Sequence, residues 1–261
     1  MRGGSTRAGR WAVAFIVALA ACAVPPSARA AEIKVLSAGA VKDIVTELSE
    51  AFHRETGHTV VLTTGTAGGI RQKVTAGDPA DVVIVTDTVL AQLATAGLVV
   101  VDSKADVART GIGVAVKEGA PKPDISTPDA FKQAILAAKS IVYLDPGSGA
   151  TSGIYFASVL ERLGIADAVK DKTVLWPGGF AAEAVAKGQA DLCVHQISEI
   201  LPVKGVTLVG PLPRDLQKIT TYSAALSTRA ATPTAARDFI AFVTRPSFKP
   251  RFAAAGLDYR E

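Results

Sequence analysis

The sequence has few of the residues that bind metals or form disulfides, with two cysteines, three histidines and one methionine among 261 residues. Cys22 lies in a leader segment, so the mature chain keeps Cys193 alone and cannot form an intramolecular disulfide. His53, His58 and His195 do not combine with a pair of cysteines in a zinc-ligand motif. The sequence therefore predicts neither a metal site nor a cofactor.

Three motifs of common enzyme classes are also absent. No serine of the mature chain has glycine two residues away on both sides, which excludes the G-x-S-x-G elbow of serine hydrolases. Gly153 is followed by Ile154 instead of the lysine of a phosphate-binding loop, and Ser152 stands where a dinucleotide fingerprint starting at Gly147 needs its third glycine. We therefore expect a binding protein and not an enzyme.

The mature chain has no excess of basic charge. The formal net charge of +4 comes from Arg2, Arg7, Arg10 and Arg29, which all lie in the first thirty residues, where there is no acidic residue. Without them the 28 basic residues fall to 24, equal to the number of acidic residues. This balance argues against a nucleic-acid partner, which requires a basic face.

Residues 1–30 are predicted to be a secretory signal peptide. Arginines precede an apolar segment at residues 11–24, and Ala28, Arg29 and Ala30 form a small-residue cleavage site. The alternative is lipoprotein processing, because residues 19–22 also fit the pattern for a lipid anchor at Cys22. We favour export to the periplasm, and no later apolar segment is long enough to cross a membrane.

Strands and helices are predicted to alternate along the mature chain, which indicates an α/β fold of mainly parallel sheets flanked by helices. Small residues recur where strands end, at residues 37–40, 65–69, 147–152 and 177–179, and polar residues do so at 195–196. Because ligands of such sheets bind beyond the carboxyl ends of the strands, these loops predict a common cleft. Neutral donors without an obligatory lysine or arginine favour a compact anion.

The segment at residues 139–153 is the clearest of these junctions. An apolar run at residues 141–144 stops at Asp145 and Pro146, and glycines and hydroxyls follow up to a helical pattern. The start of a helix directs backbone N–H groups and the positive end of the helix dipole at one point. Ser148, Gly149, Thr151 and Ser152 are therefore predicted to contact an anion.

The mature chain resembles the periplasmic molybdate-binding proteins of ABC importers, which have the type II periplasmic solute-binding fold. Residues 70–82 are similar to the family's Q-I-x-x-G-A-P-A-D segment, and residues 188–191 to its G-E-A-D segment. The resemblance implies two lobes joined by a two-strand hinge. Residues 31–110 and 222–261 would form lobe 1, and residues 111–221 would form lobe 2.

This resemblance also implies a function. The protein would be an exported receptor that captures a molybdate-like or tungstate-like oxyanion between its lobes, acts as a monomer and delivers the anion to the membrane permease of an ABC importer. The predicted ligand-binding residues are Ser37, Ala38, Gly39, Ala40, Thr66, Ala67, Gly68, Ser148, Gly149, Thr151, Ser152, Gly178, Gly179 and Gln196.

Other ligands and functions stay open, because the family's ligand-binding hydroxyls are missing. Ala40 and Ala67 stand where the family has serines, and Gln196 stands where it has a tyrosine. A small organic carboxylate, held by Gln196 and Arg71, is therefore the alternative ligand. An enzyme or a sensor domain on the same scaffold is the alternative function.

Overall fold

The computed structural model describes residues 30–259 together with Met1 and Gly3. The predicted signal peptide, apart from Met1, Gly3 and Ala30, and the alternative lipid anchor at Cys22 lie outside the described residues. None of the helices in the described part of the chain is long and apolar enough to cross a membrane.

The first sheet has six strands in the order β11-β4-β10-β3-β1-β2. Its strands come from both ends of the chain: β1 (Glu32–Ala38), β2 (Thr59–Gly65), β3 (Val82–Thr86), β4 (Ala105–Thr110), β10 (Thr220–Leu226) and β11 (Asp258–Tyr259). The helices of this part are α1 (Lys42–Thr56), α2 (Ala67–Ala76), α3 (Asp87–Thr95), α9 (Pro233–Val243) and α10 (Lys249–Ala254).

The second sheet has five strands in the order β7-β6-β8-β5-β9. They are β5 (Ile112–Lys117), β6 (Ile141–Leu144), β7 (Thr173–Trp176), β8 (Leu192–Gln196) and β9 (Val206–Pro211). The accompanying helices are α4 (Pro128–Ala137), α5 (Thr151–Arg162), α6 (Ala166–Val169), α7 (Ala182–Ala186) and α8 (Ile197–Ile200).

Two sheets flanked by helices confirm the predicted α/β fold class. Each sheet is mixed: β1 pairs in parallel with β2 and β3, and β6 pairs in parallel with β7 and β8. β10 and β5 run antiparallel to their neighbours, because these strands follow the two points where the chain passes from one sheet to the other. The lobe boundaries at 110/111 and 221/222 stay a prediction; β10 enters the first sheet at Thr220.

Both faces of each sheet are covered by apolar side chains. On one face of the first sheet, the ring of Phe52 on α1 packs edge-on against Phe239 and Phe242 on α9, with centroids 5.3 and 5.2 Å apart. In the second sheet, Phe156 on α5 packs edge-on against Tyr143 at 4.9 Å. The Phe52 contacts therefore fix α1 against α9, and the Phe156 contact fixes α5 against β6.

Candidate functional site

A cavity of about 320 Å³ lies between the carboxyl-terminal ends of strands from both sheets, and we call it the main cavity. Its wall contains the loops that follow β1 and β2 in the first sheet and β6, β7 and β8 in the second. Nine predicted ligand-binding residues line it: Ala38, Gly39, Ala40, Thr66, Ala67, Thr151, Ser152, Gly179 and Gln196. The topology therefore brings these residues together, and their contact with a ligand stays a prediction.

The remaining predicted residues lie beside the main cavity. Ser37 is buried and its hydroxyl donates to the carbonyl of Ala38. The hydroxyl of Ser148 donates to the carbonyl of Asp145, 2.7 Å away, within its own loop. Because both hydroxyls are bound to backbone carbonyls, neither Ser37 nor Ser148 points a free donor at the cavity.

Gly68, Gly149 and Gly178 also lie outside the wall of the main cavity. Gly68 and Gly149 meet each other and line a second cavity of about 450 Å³, which also contains Arg71. A Cβ atom on Gly178 would lie 3.9 Å from the side chain of Thr66. The alternative carboxylate site of Gln196 with Arg71 is therefore divided between two neighbouring cavities.

Thr66 joins the two halves of the wall. Its hydroxyl donates to the carbonyl of Ser148 at 2.6 Å and accepts from the N–H of Gly69 at 3.0 Å, so one side chain caps α2 and binds the loop before α5. These bonds fix the loop of one sheet against the loop of the other.

Several lining residues were missed by the sequence analysis. They include a cation, two carboxyl groups and two aromatic side chains, namely Lys42, Glu183, Glu199, Phe180 and Tyr222. Lys42 is the only basic side chain in this wall among the described residues, and its Nζ lies 5.4 Å from the ring centre of Phe180. Lys42 and Glu199 could have been found by their position in the sequence. Each lies within three residues of a strand-end loop that is predicted to form the cleft.

Glu199 is the buried carboxyl of the main cavity, with 5% of its surface exposed. Burial, and then the charge of Asp43, raise the pKa of its carboxyl to about 8. A Cβ atom on Gly39 would lie 2.9 Å from its Oε1, so the glycine makes room for the carboxyl. A carboxyl with such a pKa can both accept and donate a proton near neutral pH.

His195 lies directly behind Glu199 and is fully buried. Its Nε2 is 3.1 Å from the carbonyl oxygen of Gly179, and its Nδ1 is 3.2 Å from the hydroxyl of Ser152 and 3.6 Å from Oε2 of Glu199. Burial lowers the pKa of the His195 imidazole to about 4, so the ring is neutral at physiological pH. Because a carbonyl oxygen can only accept, Nε2 carries the ring proton and Nδ1 is the acceptor.

Gln196 and Tyr222 form a buried polar pair in the same wall. Nε2 of Gln196 donates to the hydroxyl oxygen of Tyr222 at 3.3 Å, which leaves the hydroxyl hydrogen of Tyr222 for another acceptor. Oε1 of Gln196 has no hydrogen-bond partner among the described residues. Burial, and then the charge of Glu199, raise the pKa of the Tyr222 hydroxyl, so it stays a donor. Buried polar atoms of this kind are suited to a polar ligand.

The described residues contain no group of three or more histidine, cysteine, aspartate or glutamate side chains that could hold a metal ion. The wall offers one buried carboxyl, one half-exposed carboxylate, one cation and several neutral donors. Such a set can bind a small anion and move a proton on it.

Comparisons with known proteins identify the family of this chain. Residues 33–258 match the model of the bacterial extracellular solute-binding protein family. The chain is 32% identical to an aconitate isomerase from a Pseudomonas species over 231 residues, which are 86% of this chain and 87% of that protein.

Solved structures share the fold. The periplasmic molybdate-binding protein of Azotobacter vinelandii matches with a TM-score of 0.73 and 21% identity, covering 88% of this chain and all of that one. The sulfate-binding protein SubI of Mycobacterium tuberculosis matches with a TM-score of 0.70 and 20% identity, covering 87% and 86%. At these identities the likeness supports the type II fold and does not identify the ligand.

One expectation from the sequence is wrong. The absence of familiar enzyme motifs led to the prediction of a protein without enzymatic activity, whereas the chain shares 32% of its residues with an isomerase over most of its length. Hydrolase, nucleotide and metal sites have local motifs, whereas an acid–base site can consist of a single side chain, so the absence of those motifs does not exclude an enzyme. By its sequence and its fold, the chain belongs to the bacterial extracellular solute-binding protein family.

Proposed function

We propose that this protein is an isomerase of a small unsaturated polycarboxylate such as aconitate, with Glu199 as the group that moves the proton. The observation that carries the proposal is the buried carboxyl of Glu199 in the wall of the main cavity, with a pKa of about 8. The aconitate isomerase that is 32% identical supports the reaction class.

The proposed reaction moves one hydrogen between two carbons of a three-carbon unit. The ionised carboxylate of Glu199 accepts a proton from a methylene carbon beside the double bond, and the electron pair of the broken C–H bond shifts the double bond by one position. Glu199 then returns the proton to the carbon at the other end of the unit. Nothing is oxidised or reduced, and substrate and product have the same formula.

The rest of the wall suits a substrate with several carboxylates. Lys42 supplies one positive charge, and α5 begins at Thr151 with the positive end of its dipole in the wall. The hydroxyl of Tyr222 is a donor for the negative charge that develops on a substrate carboxylate when the carbon loses its proton. Binding by these groups would orient the reacting carbons towards Glu199.

Incubation with purified cis- and trans-aconitate tests this proposal. We expect each isomer to be converted into the other by the exported protein, measured by chromatography, and Glu199→Gln to lose at least about a hundredfold in kcat. Glu183→Gln changes a half-exposed carboxylate of the same wall and is the matched comparison. Full recovery of unchanged ligand from a protein that binds it tightly would contradict the isomerase.

A second candidate is a receptor that delivers its ligand to the permease of an ABC importer in the periplasm. The family and the fold shared with molybdate- and sulfate-binding proteins favour it. Calorimetric titration with molybdate, tungstate, sulfate and tricarboxylates separates the ligands. Because Ala40, Ala67 and Gln196 line the main cavity without hydroxyls, we expect the carboxylates to bind more tightly than the oxyanions. A monomer, as predicted, would suit either function.

A further inference from the structure

We propose that His195 is a positioning residue, which directs an unprotonated ring nitrogen at the carboxyl of Glu199 and so makes that carboxyl a stronger base. The proposal rests on the isomerase function, since it concerns how the proton carrier is prepared. Four residues are involved. Glu199, Ser152 and Gly179 line the main cavity, and His195 does not.

The orientation of the ring is fixed by the backbone. Nε2 lies 3.1 Å from the carbonyl oxygen of Gly179, and this contact is a hydrogen bond only when Nε2 carries a proton. With one proton on the neutral ring, Nδ1 presents its lone pair. Gly179 therefore selects the tautomer of His195, as an acceptor bound to one ring nitrogen commonly does.

Two groups lie near the lone pair of Nδ1, the hydroxyl of Ser152 and the carboxyl of Glu199. The hydroxyl of Ser152, at 3.2 Å, can rotate its hydrogen towards Nδ1 and donate. Oε2 of Glu199 lies 3.6 Å away, which is longer than a hydrogen bond, so it can donate to Nδ1 only on a closer approach and only when the carboxyl is protonated. The ionised form of Glu199 faces an electron-rich atom and gains no hydrogen bond from it, so His195 favours the protonated form and raises the basicity of the carboxylate.

Among the other groups around Glu199, Asp43 also raises the pKa of its carboxyl, whereas the cation Lys42 in the same cavity favours the ionised form. The elements packed against α8 are the turn at residues 39–41, β5, β8 and β9. β9 has no titratable residue, and Lys117 is exposed at the far end of β5. The titratable or charged side chains that interact with Glu199 or share its cavity are Asp43, Cys193, His195, Tyr222, Lys42 and Glu183.

Replacement of His195 and Ser152 is expected to shift the titration of Glu199 in opposite directions. In His195→Asn an amide N–H can turn towards Glu199 and stabilise the carboxylate, which should lower the midpoint by about one pH unit or more. Ser152→Ala removes the competing donor, so Nδ1 is free to accept from protonated Glu199, and the midpoint should rise. A residue that only supported the fold would not produce two shifts of opposite sign.

The midpoint can be measured without turnover. Carbon-13 NMR of protein labelled at the glutamate side-chain carboxyls, between pH 5 and 10, gives the titration of Glu199, whose signal is the one lost in Glu199→Gln. Val194→Ala is the control, because Val194 is buried in the same strand and lies on its opposite face. The pH dependence of kcat/KM for aconitate should follow the same midpoints.

Each result decides for or against the proposal. A midpoint in His195→Asn equal to that in Val194→Ala would overturn it, and so would shifts of the same sign in the two variants. If His195→Asn does not fold, the upward shift in Ser152→Ala supports the proposal and its absence contradicts it. Opposite NMR shifts in a protein that isomerises nothing would leave the His195–Glu199 relation intact and reject the proposed function alone.

Discussion

The backbone N–H of Gly68 donates a hydrogen bond of 3.1 Å to the carbonyl oxygen of Gly149, which joins the first turn of α2, beside the first sheet, to the loop before α5, beside the second. A Cβ atom on Gly68 would lie 2.7 Å from the Cα of Gly149, so the two backbones approach this closely only without a side chain. Their neighbours Ala67 and Ala150 line the main cavity. The two glycines therefore join the halves of the cavity wall.

Gly68→Ala should weaken ligand binding without unfolding the protein. The added methyl group forces the two loops apart, and the loss of a closed wall is expected to cost about tenfold in affinity, or about 1.4 kcal/mol. Calorimetric titration with a tricarboxylate measures it. Gly210→Ala is the control, because a Cβ atom there would meet only the side chain of Ile125 at 3.8 Å. Equal affinities of the two variants would show that the contact is not needed for binding.

Gly39→Ala should impair catalysis more than binding. Its methyl group would lie 2.9 Å from Oε1 of Glu199 and displace the carboxyl that carries the proton. We expect kcat for aconitate to fall by about tenfold to a hundredfold, with a smaller change in KM, since a small misplacement of a catalytic group is costly. Steady-state kinetics on both aconitate isomers test this. Unchanged kcat would place the reacting carbon away from Oε1.

The stability of the protein should depend on pH through Glu199. Its pKa is raised from 4.5 to about 8 by folding, so its contribution to stability is fully present below pH 4.5 and is lost as the pH rises through 8. The contribution of Glu199 to the free energy of unfolding should therefore fall between pH 5 and 8, by up to about 1.4 kcal/mol per pH unit. Urea unfolding of the wild type and of Glu199→Gln measures it, and the variant should lose this slope.

His195 should act at the acid end of the same profile. Its pKa is lowered from 6.5 to about 4, so its contribution to stability is present above pH 6.5 and is lost as the pH falls through 4. Together the two residues place the stability maximum between about pH 4.5 and 6.5. A stability that rises steadily from pH 5 to 9 in the urea experiment would contradict the burial of both groups.

Gln217 should stabilise the passage between the sheets. Its Oε1 accepts from the N–H of Ile112 and its Nε2 donates to the carbonyl of Ile112, both at 2.8 Å, so one side chain joins the two crossing segments. Gln217→Ala removes both bonds and takes the side-chain acceptor from the N–H of Ile112, whereas the carbonyl of Ile112 keeps the bond from the N–H of Leu212, and it should lower the free energy of unfolding by about 1–3 kcal/mol. Denaturant unfolding against the exposed control Gln189→Ala measures it. An effect equal to that of the control would contradict this role.

Much of the fold and part of the candidate site could be predicted from the sequence. Loops with glycines and hydroxyl side chains follow the strands at the edge of a sheet where ligands bind, and the sequence shows them directly. Gly39, Thr66 and Ser152, which come from three such loops, line one cavity. The resemblance to binding proteins supplied the two-sheet arrangement.

The ionisable side chains of the cavity wall could not be predicted from the sequence in this way. Glu199 lies on α8, which has four residues and no apolar periodicity, and its burial depends on Gly39, which is far away in the sequence. Tyr222 lies on β10, at a position that the alternation of side chains along the strand assigns to the hydrophobic core. Its place in the cavity wall follows from the return of the chain to the first sheet, which no local pattern encodes.

In the proposed reaction the carboxyl of Glu199 moves a proton on a bound unsaturated carboxylate. The most direct measurement is proton NMR of aconitate in D₂O with the wild-type protein, Glu199→Gln and Glu183→Gln. The wild type and Glu183→Gln should exchange the methylene protons for deuterium as the isomers interconvert, and Glu199→Gln should do neither. Exchange and isomerisation at wild-type rates in Glu199→Gln would contradict it.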